Sequence, residues 1–160
     1  PKWDRMYAIN YQKGNVLPAG TQVKNVKIRR GKQWVDGIQY VIIFTDVKTE
    51  QPYIIHFQPR FHHGLKIRDY LNKIFTGKNL AEQCVNFTTQ EKTAVQTAKL
   101  ILGMRKEAVL VAWGYPPEHK TPSLDKNEWR YWINRTAYRK LMFNSSGELI
   151  EIGPILTNAK

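Results

Sequence analysis

Short apolar runs separated by polar turns dominate the first half of the chain, a pattern typical of β-strands. Val26 and Ile28 share one face of a predicted strand and Lys27 takes the other, with a slip in the alternation near Val23. The predicted strands span 21–28, 40–44 and 53–57, and the predicted turns lie at 29–31, 36–37 and 46–51. Short strands joined by polar turns indicate a small curled sheet or barrel.

Two further segments flank these strands. Residues 1–20 are too apolar for a solvated tail, and we expect them either to pack on the rest of the chain or to continue a helix. From Leu65 to Phe75 the pattern changes to helical spacing and predicts an amphipathic helix that ends at Thr76-Gly77. Its apolar stripe consists of Ile67, Tyr70, Leu71 and Ile74.

The clearest helix of the second half lies between Gly103 and Gly114. Val109, Ala112 and Trp113 are spaced i, i+3, i+4 and therefore share a face. Gly114 stands where a left-handed residue commonly ends a helix, and the Pro-Pro pair at 116–117 prevents continuation.

A second helix and a sheet complete the second half. Thr88, with Glu91 three residues later, predicts a helix N-terminus. Strands are predicted at 128–133, 138–143 and 149–152, with a polar loop at 118–127 and a hairpin turn at 144–147. We therefore predict an α+β fold, in which two helices cover a three-stranded antiparallel sheet as a two-layer sandwich.

The length of 160 residues suits one compact domain or two very small ones. We predict two modules, a basic β-rich module with a terminal helix at 1–80 and an α+β domain at 86–154.

No apolar run approaches the roughly 18 residues that a membrane-spanning helix needs. Cys84 is the only cysteine, which excludes an intramolecular disulfide and a cysteine zinc cluster.

Positive charge is concentrated in the first half of the chain. Residues 1–80 hold 14 Lys and Arg against 5 Asp and Glu, or +9, whereas residues 81–160 hold 11 against 8, or +3. Five cations lie within nine residues, namely Lys24, Lys27, Arg29, Arg30 and Lys32, and Trp34 follows just beyond them. Such a cluster attracts phosphate on anionic lipid headgroups or on nucleic acid, or is a solvated strand edge.

No residue pattern indicates catalysis, a cofactor or a metal. His56, His62 and His63 fall within eight residues but lack the spacing of a metal site. The carboxylates and the histidine of the loop at 118–128 sit where solvated charge is common, and no serine lies in a nucleophile elbow. We predict a protein that is not an enzyme and has no cofactor or metal.

The second half also contains a set of spaced residues: Gly103-Met104, Val109, Gly114-x-Pro116, Trp129-x-Tyr131, Leu141-x-Phe143 and Gly147-x-Leu149. This pattern, over residues 98–152, resembles the BamE family, also called SmpA/OmlA-like lipoproteins. The family usually has Thr or Ser as the helix N-cap after Gly-Met, whereas this chain has Arg105. The cap must therefore come from elsewhere or be absent. In the first half, Leu17 to Thr21 followed by short strands resembles bacterial SH3-like modules.

The resemblance implies a periplasmic location at the outer membrane, with a signal sequence and a lipid-anchored cysteine before Pro1; a cytoplasmic location is the alternative. It implies an interaction or scaffolding role that supports outer-membrane assembly or envelope integrity. The implied partners are envelope proteins and anionic lipid headgroups. A nucleic-acid-binding module is the first alternative and a small enzyme the second. The same fold serves unrelated functions, so fold alone does not fix function.

Two surfaces are predicted to make contacts. The first is the basic cluster with Arg29, Arg30, Lys32 and Trp34. The second is the proline-stiffened loop from 115 to 124, since long ordered loops on rigid scaffolds often bind partners. Its predicted contact residues are Tyr115, Pro117, His119 and Lys120.

Overall fold

The computed structural model describes residues 4–8, 10, 12, 17–34, 37–62 and 64–157. Of residues 32–34 and 37–38 it describes the backbone alone. The fold is α+β, as predicted, and comprises two sheets with helices beside them. None of the helices in the described ranges is both long and apolar enough to cross a bilayer.

Four strands form the first sheet within the described ranges: β1 (Asp4–Tyr7), β2 (Val23–Trp34), β3 (Gly37–Asp46) and β4 (Pro52–Phe57). Their order is β1-β4-β3-β2, so β3 is central, as the continuous apolar run predicted. The pairs β2–β3 and β3–β4 are antiparallel, whereas β1 pairs with β4 in parallel. Part of the lead-in is thus a strand, and Met6 and Ala8 pack in the first core. The first of the two expectations for this segment, packing on the rest of the chain, is confirmed for these residues, and the helix alternative is wrong for residues 4–7.

The strand β2 runs straight through the turn that was predicted at residues 29–31. Arg29 pairs with Val41 and Arg30 with Tyr40, and pairing resumes at Gln33 after an irregularity. A β-bulge in a long strand thus replaces the turn. The hairpin predicted at 36–37 is in the right place, because Trp34 pairs with Gly37; residues 35–36 themselves lie outside the described residues.

A short 3-10 turn (Pro59–Phe61) and the helix α1 (Ile67–Ile74) follow the sheet. The helix begins where Asp69 Oδ2 accepts a hydrogen bond from the Lys66 backbone amide, 3.3 Å away. Tyr70 is buried against Phe57 of β4, with ring centroids 5.5 Å apart. The helix therefore covers the inner face of the sheet and closes the first core.

We call the first sheet with α1 the first module, and the elements after α1 the second module. The latter are α2 (Leu80–Gln83), α3 (Thr89–Gln96), α4 (Lys106–Trp113), β5 (Glu128–Trp132), β6 (Ala137–Phe143) and β7 (Leu149–Thr157). The three strands form an antiparallel sheet in sequential order, as predicted, and α3 and α4 share one core with it. The short α2 lies within the predicted boundary region. The second core is built by the spaced residues noted in the sequence, among them Met104, Val109, Trp129, Tyr131, Leu141, Phe143 and Leu149.

The helix α4 begins without a side-chain cap from Arg105. Its entry is held by other groups, because Gly147 O accepts a hydrogen bond from Lys106 N at 3.0 Å and Glu91 Oε1 accepts one from Arg105 N at 3.0 Å. At the other end Gly114 has a positive φ of 74°, as predicted, but its ψ of −173° lies outside the left-handed helical region. Backbone groups and a distant carboxylate therefore replace the hydroxyl cap expected after Gly-Met.

The two modules are joined by more than the chain between them. Asn10 Nδ2 donates hydrogen bonds to Trp113 O at 2.6 Å and to Tyr115 O at 3.0 Å. The Gln12 backbone amide bonds to Trp132 O at 2.8 Å. Asn10 and Gln12, which lie between β1 and β2, thus contact the end of α4 and β5.

Candidate interaction surface on the first sheet

The strand register places Arg29 and Arg30, which are adjacent in sequence, on opposite faces of the first sheet. Arg29 pairs with Val41 and Arg30 with Tyr40, and successive residues of a strand point to opposite faces. Arg29 therefore lies on the outer face, away from α1, whereas Arg30 lies on the face that Phe57 and α1 share. The sequence cluster does not form one patch.

A β-bulge brings two other cations of the sequence cluster, Lys24 and Lys27, to the outer face beside Arg29. Lys24 pairs with Thr45 and Lys27 with Ile43, so two residues of β2, Asn25 and Val26, stand opposite Phe44 alone. Asn25 takes a positive φ of 57° there. The extra residue shifts the alternation and brings Lys24 to the same face as Lys27. This bulge accounts for the slip seen in the sequence near Val23.

The opposite edge of the sheet adds a further cation. Arg5 of β1 pairs with Ile54, and Ile54 pairs with Ile43, so all three side chains lie on the outer face. Among the described side chains, the exposed cations of this outer face are Arg5, Lys24, Lys27 and Arg29. Sequence reasoning missed Arg5, although the alternation of Asp4, Arg5, Met6 and Tyr7 could have indicated a strand.

Few carboxylates oppose these charges. Glu50, in the turn after β3, forms an ion pair with Lys24 at 2.5 Å, and both side chains are largely exposed. Within the described part of the chain, Lys27 and Arg29 have no ion-pair partner. The outer face is therefore positive at both edges.

The centre of the outer face is apolar and aromatic. Ile43 and Ile54 are half-buried, and Tyr7 stacks on His56 with ring centroids 5.2 Å apart. Burial, assisted by the charge of Arg5, holds the pKa of His56 below its usual value. His56 is therefore neutral at pH 7 and adds no charge to the face.

Two residues of the predicted basic cluster cannot be placed in this detail. Lys32 and Trp34 are residues of β2, and the structure describes only their backbone atoms.

The second predicted surface, the loop from 115 to 124, is only partly exposed. Pro117 is fully buried, so its side chain cannot contact a partner. The structure therefore corrects the prediction that Pro117 is a contact residue. Tyr115 lies beneath Lys73 of α1, with Nζ 5.2 Å from the ring centroid, and Lys73 also pairs with Glu118 at 3.4 Å. The first part of the loop therefore contacts the first module.

Two other loop residues lie at the same junction. The ring of His119 lies 5.0 Å from that of Phe61, in the 3-10 turn, and stacks at 6.3 Å on Trp132 of β5. Lys120 is exposed, with Nζ 5.8 Å from the Trp132 ring centroid. Of the four predicted loop residues, Lys120 is the one fully open to solvent.

A small pocket lies beside Lys120, and Arg130, Trp132 and Tyr138 line it further. It has space for about one water molecule. Glu128 already pairs with Arg130, whose Nε lies 2.8 Å from Oε1. The pocket therefore lacks the volume for an organic ligand.

The remaining candidate groups have structural surroundings. His62 is buried on the inner side of the first sheet and stacks on Phe57 at 4.9 Å, away from His56 on the outer face. Cys84 is buried in the second core, and burial raises the pKa of its thiol. His63 lies outside the described residues. Among the residues that are described, no three His, Cys, Asp or Glu side chains gather as metal ligands would.

Comparisons with family models, with curated proteins and with solved structures found no match to this chain.

Proposed function

We propose that this protein is a non-catalytic interaction module of the bacterial envelope, with a BamE-like second module and an SH3-like first module. It lies on the periplasmic side of the outer membrane and supports envelope assembly or integrity. The observation that supports this most is the role of the spaced family-type residues in the second module. Met104, Val109, Trp129 and Tyr131 are all fully buried in one core under α3 and α4.

The buried residues account for the fold of the second module. The kind of function is inferred from the exposed surfaces, because one fold can serve many functions. The described surface offers a small pocket next to Lys120 and a broad positive sheet face. Broad, exposed faces on rigid sheets suit binding to large partners better than they suit turnover of small substrates. The contacts of Asn10 with Trp113 and Tyr115 join the modules, so that the basic face and Lys120 belong to one scaffold.

Location and contacts can be tested together in cells that make the protein naturally. We expect fractionation to recover it with the outer membrane, and added protease to degrade it only after that membrane is permeabilised. Recovery in the cytosol would overturn the envelope proposal.

Contacts are tested by a photo-crosslinking amino acid placed at Lys120, with Lys99 of the second module as a matched exposed position. We expect Lys120 to yield a defined adduct with an envelope protein that the Lys99 position does not give. If both positions give the same background, the scaffolding role of the loop is wrong.

A further inference from the structure

The outer face of the first sheet combines two features that are separate in sequence. Its edges hold exposed cations, Arg5 on β1 and Lys24, Lys27 and Arg29 on β2. Because neighbouring strands lie about 4.8 Å apart, the two edges of this four-stranded sheet are separated by about 14 Å. Between them lie the half-buried side chains of Ile43 and Ile54.

An extended peptide added to the edge strand is a poor occupant. Edge strands are protected by bulges and by charged side chains. The strand β2 has both, with register shifts between Lys24 and Lys27 and between Arg30 and Gln33. Each shift interrupts the regular row of backbone groups that an added strand would need. The β2 edge is therefore a poor docking site for an added strand, and the face beside it is the better one.

Single-stranded nucleic acid fits the described part of this face less well. It needs several aromatic rings on which successive bases stack. On the described part of this face the aromatic side chains are Tyr7 and His56, and they stack on each other. The centre of the face is otherwise aliphatic, with Ile43 and Ile54.

A bilayer surface with anionic headgroups fits the same features. Phosphate groups meet the cations at both edges, each of which contributes attraction near such a surface. Tyrosine, 39% exposed here at Tyr7, is a residue enriched at the water–lipid boundary, and aliphatic side chains tolerate that boundary. Charge and polarity are thus both complementary.

We propose that the outer face of the first sheet docks on an anionic lipid bilayer through Arg5, Lys24, Lys27 and Arg29. This inference rests on the proposed envelope function and names the surface that the first module contacts. It orients the molecule with α1 and the inner face directed away from the membrane. Binding is peripheral and depends on charge.

Vesicle flotation with the full chain tests the proposal, using phosphatidylglycerol-containing vesicles and pure phosphatidylcholine vesicles at low and high salt. We expect flotation with the anionic vesicles at low salt, little with the zwitterionic vesicles, and release by high salt. The double variant Lys27→Gln/Arg29→Gln should bind at least tenfold more weakly, since each cation contributes about fivefold.

The matched control is Lys99→Gln/Lys126→Gln, which removes the same charge from exposed positions of the second module. It should bind anionic vesicles within about twofold of the parent if the face, and not the total charge, is responsible. Circular dichroism checks that both double variants fold. Equal loss of binding in the two variants would overturn the assignment of the face.

Absence of flotation at low salt would overturn the proposal, as would equal recovery with both vesicle types. Retention of a single-stranded oligonucleotide without vesicle binding would reassign the face to nucleic acid and overturn it too. Fractionation of cells tests the envelope proposal separately. An envelope protein that ignores vesicles disproves the lipid assignment alone, whereas a cytosolic location disproves the function on which it rests.

Discussion

Glu91 and Arg105 join the first turns of two successive helices through a fork of hydrogen bonds. Arg105 Nε lies 3.1 Å from Glu91 Oε1, and Arg105 Nη2 lies 2.8 Å from Oε2. The same carboxylate accepts hydrogen bonds from the backbone amides of Thr88 and Arg105 at 2.8 and 3.0 Å. A buried carboxylate with four donors closes the α3 capping box and also holds the entry to α4.

Removal of Arg105 leaves this carboxylate buried without its counter-charge. We expect Arg105→Met to lower the free energy of unfolding, though by less than for a fully buried pair because the arginine side chain is 39% exposed. Arg105→Lys keeps the charge but loses the fork, and should recover only part of the loss. Urea denaturation measures each value. An unchanged midpoint for Arg105→Met would show that solvent replaces the guanidinium.

The carboxylate of Glu91 should also make the stability of the protein sensitive to acid. Hydrogen bonds from Arg105, together with the backbone amides, lower the pKa of Glu91 to about 2. A carboxyl group with a depressed folded pKa stabilises the protein above its unfolded pKa, and this contribution is lost as the pH falls from about 4.5 to about 2. The loss amounts to about 3 kcal/mol.

The variant Glu91→Gln tests this pH window. It should be less stable than the parent at neutral pH by about 2 kcal/mol, since it loses charged hydrogen bonds. Its stability should also change less between pH 4.5 and pH 2. Parallel curves for parent and variant across that range would contradict the assignment of the window to Glu91.

The local elements could be predicted from sequence because their signals are local. The helical spacing of Val109, Ala112 and Trp113 and the capping pair Thr88 and Glu91 each report burial or hydrogen bonds within one or two turns. The core of the second module could be predicted for the same reason.

The features that could not be predicted from sequence depend on pairing between strands that are far apart in the chain. The parallel pairing of Met6 with Ile55 joins segments far apart in the chain, so it has no local signal. The separation of Arg29 from Arg30 depends on register with β3, and the β-bulge beside Lys24 changes which cations share a face. Pro117 is fully buried, which its position in a polar loop does not indicate.

A second pH window belongs to His62, at the junction of the first sheet, α1 and the loop. Burial is the main cause that lowers the pKa of His62 to about 4; the charge of Glu118 opposes it, and those of His119 and Lys73 assist it. The folded protein therefore prefers the neutral ring, and stability is lost as the pH falls from about 6.5 to about 4. The full loss is about 3 kcal/mol.

His62→Phe keeps the ring that stacks on Phe57 and removes the titration. Because Nε2 of His62 is buried without a hydrogen-bond partner in the described structure, the variant should be within about 1 kcal/mol of the parent at pH 7 and more stable at pH 4.5. Thermal unfolding at both pH values measures the difference. The pKa of His56 is also lowered, so a smaller slope should remain. A pH dependence identical to that of the parent would show that His62 does not titrate in this window.

Gly114 links the end of α4 to the segment that joins the modules. Its φ of 74° and ψ of −173° lie in a region that glycine alone adopts readily, and a Cβ there would meet Asn10 Nδ2 at 3.0 Å. Gly114→Ala should therefore lower the free energy of unfolding by about 1–3 kcal/mol through backbone strain, with a further loss if Asn10 leaves Trp113 O.

Gly77→Ala is the matched control, because a Cβ at Gly77 meets nothing within 4 Å and its φ is not positive. Denaturation curves should separate the two variants, with Gly77→Ala within about 0.5 kcal/mol of the parent. Equal stability of both variants would mean that the chain relaxes around position 114 and that the contact with Asn10 does not fix the junction.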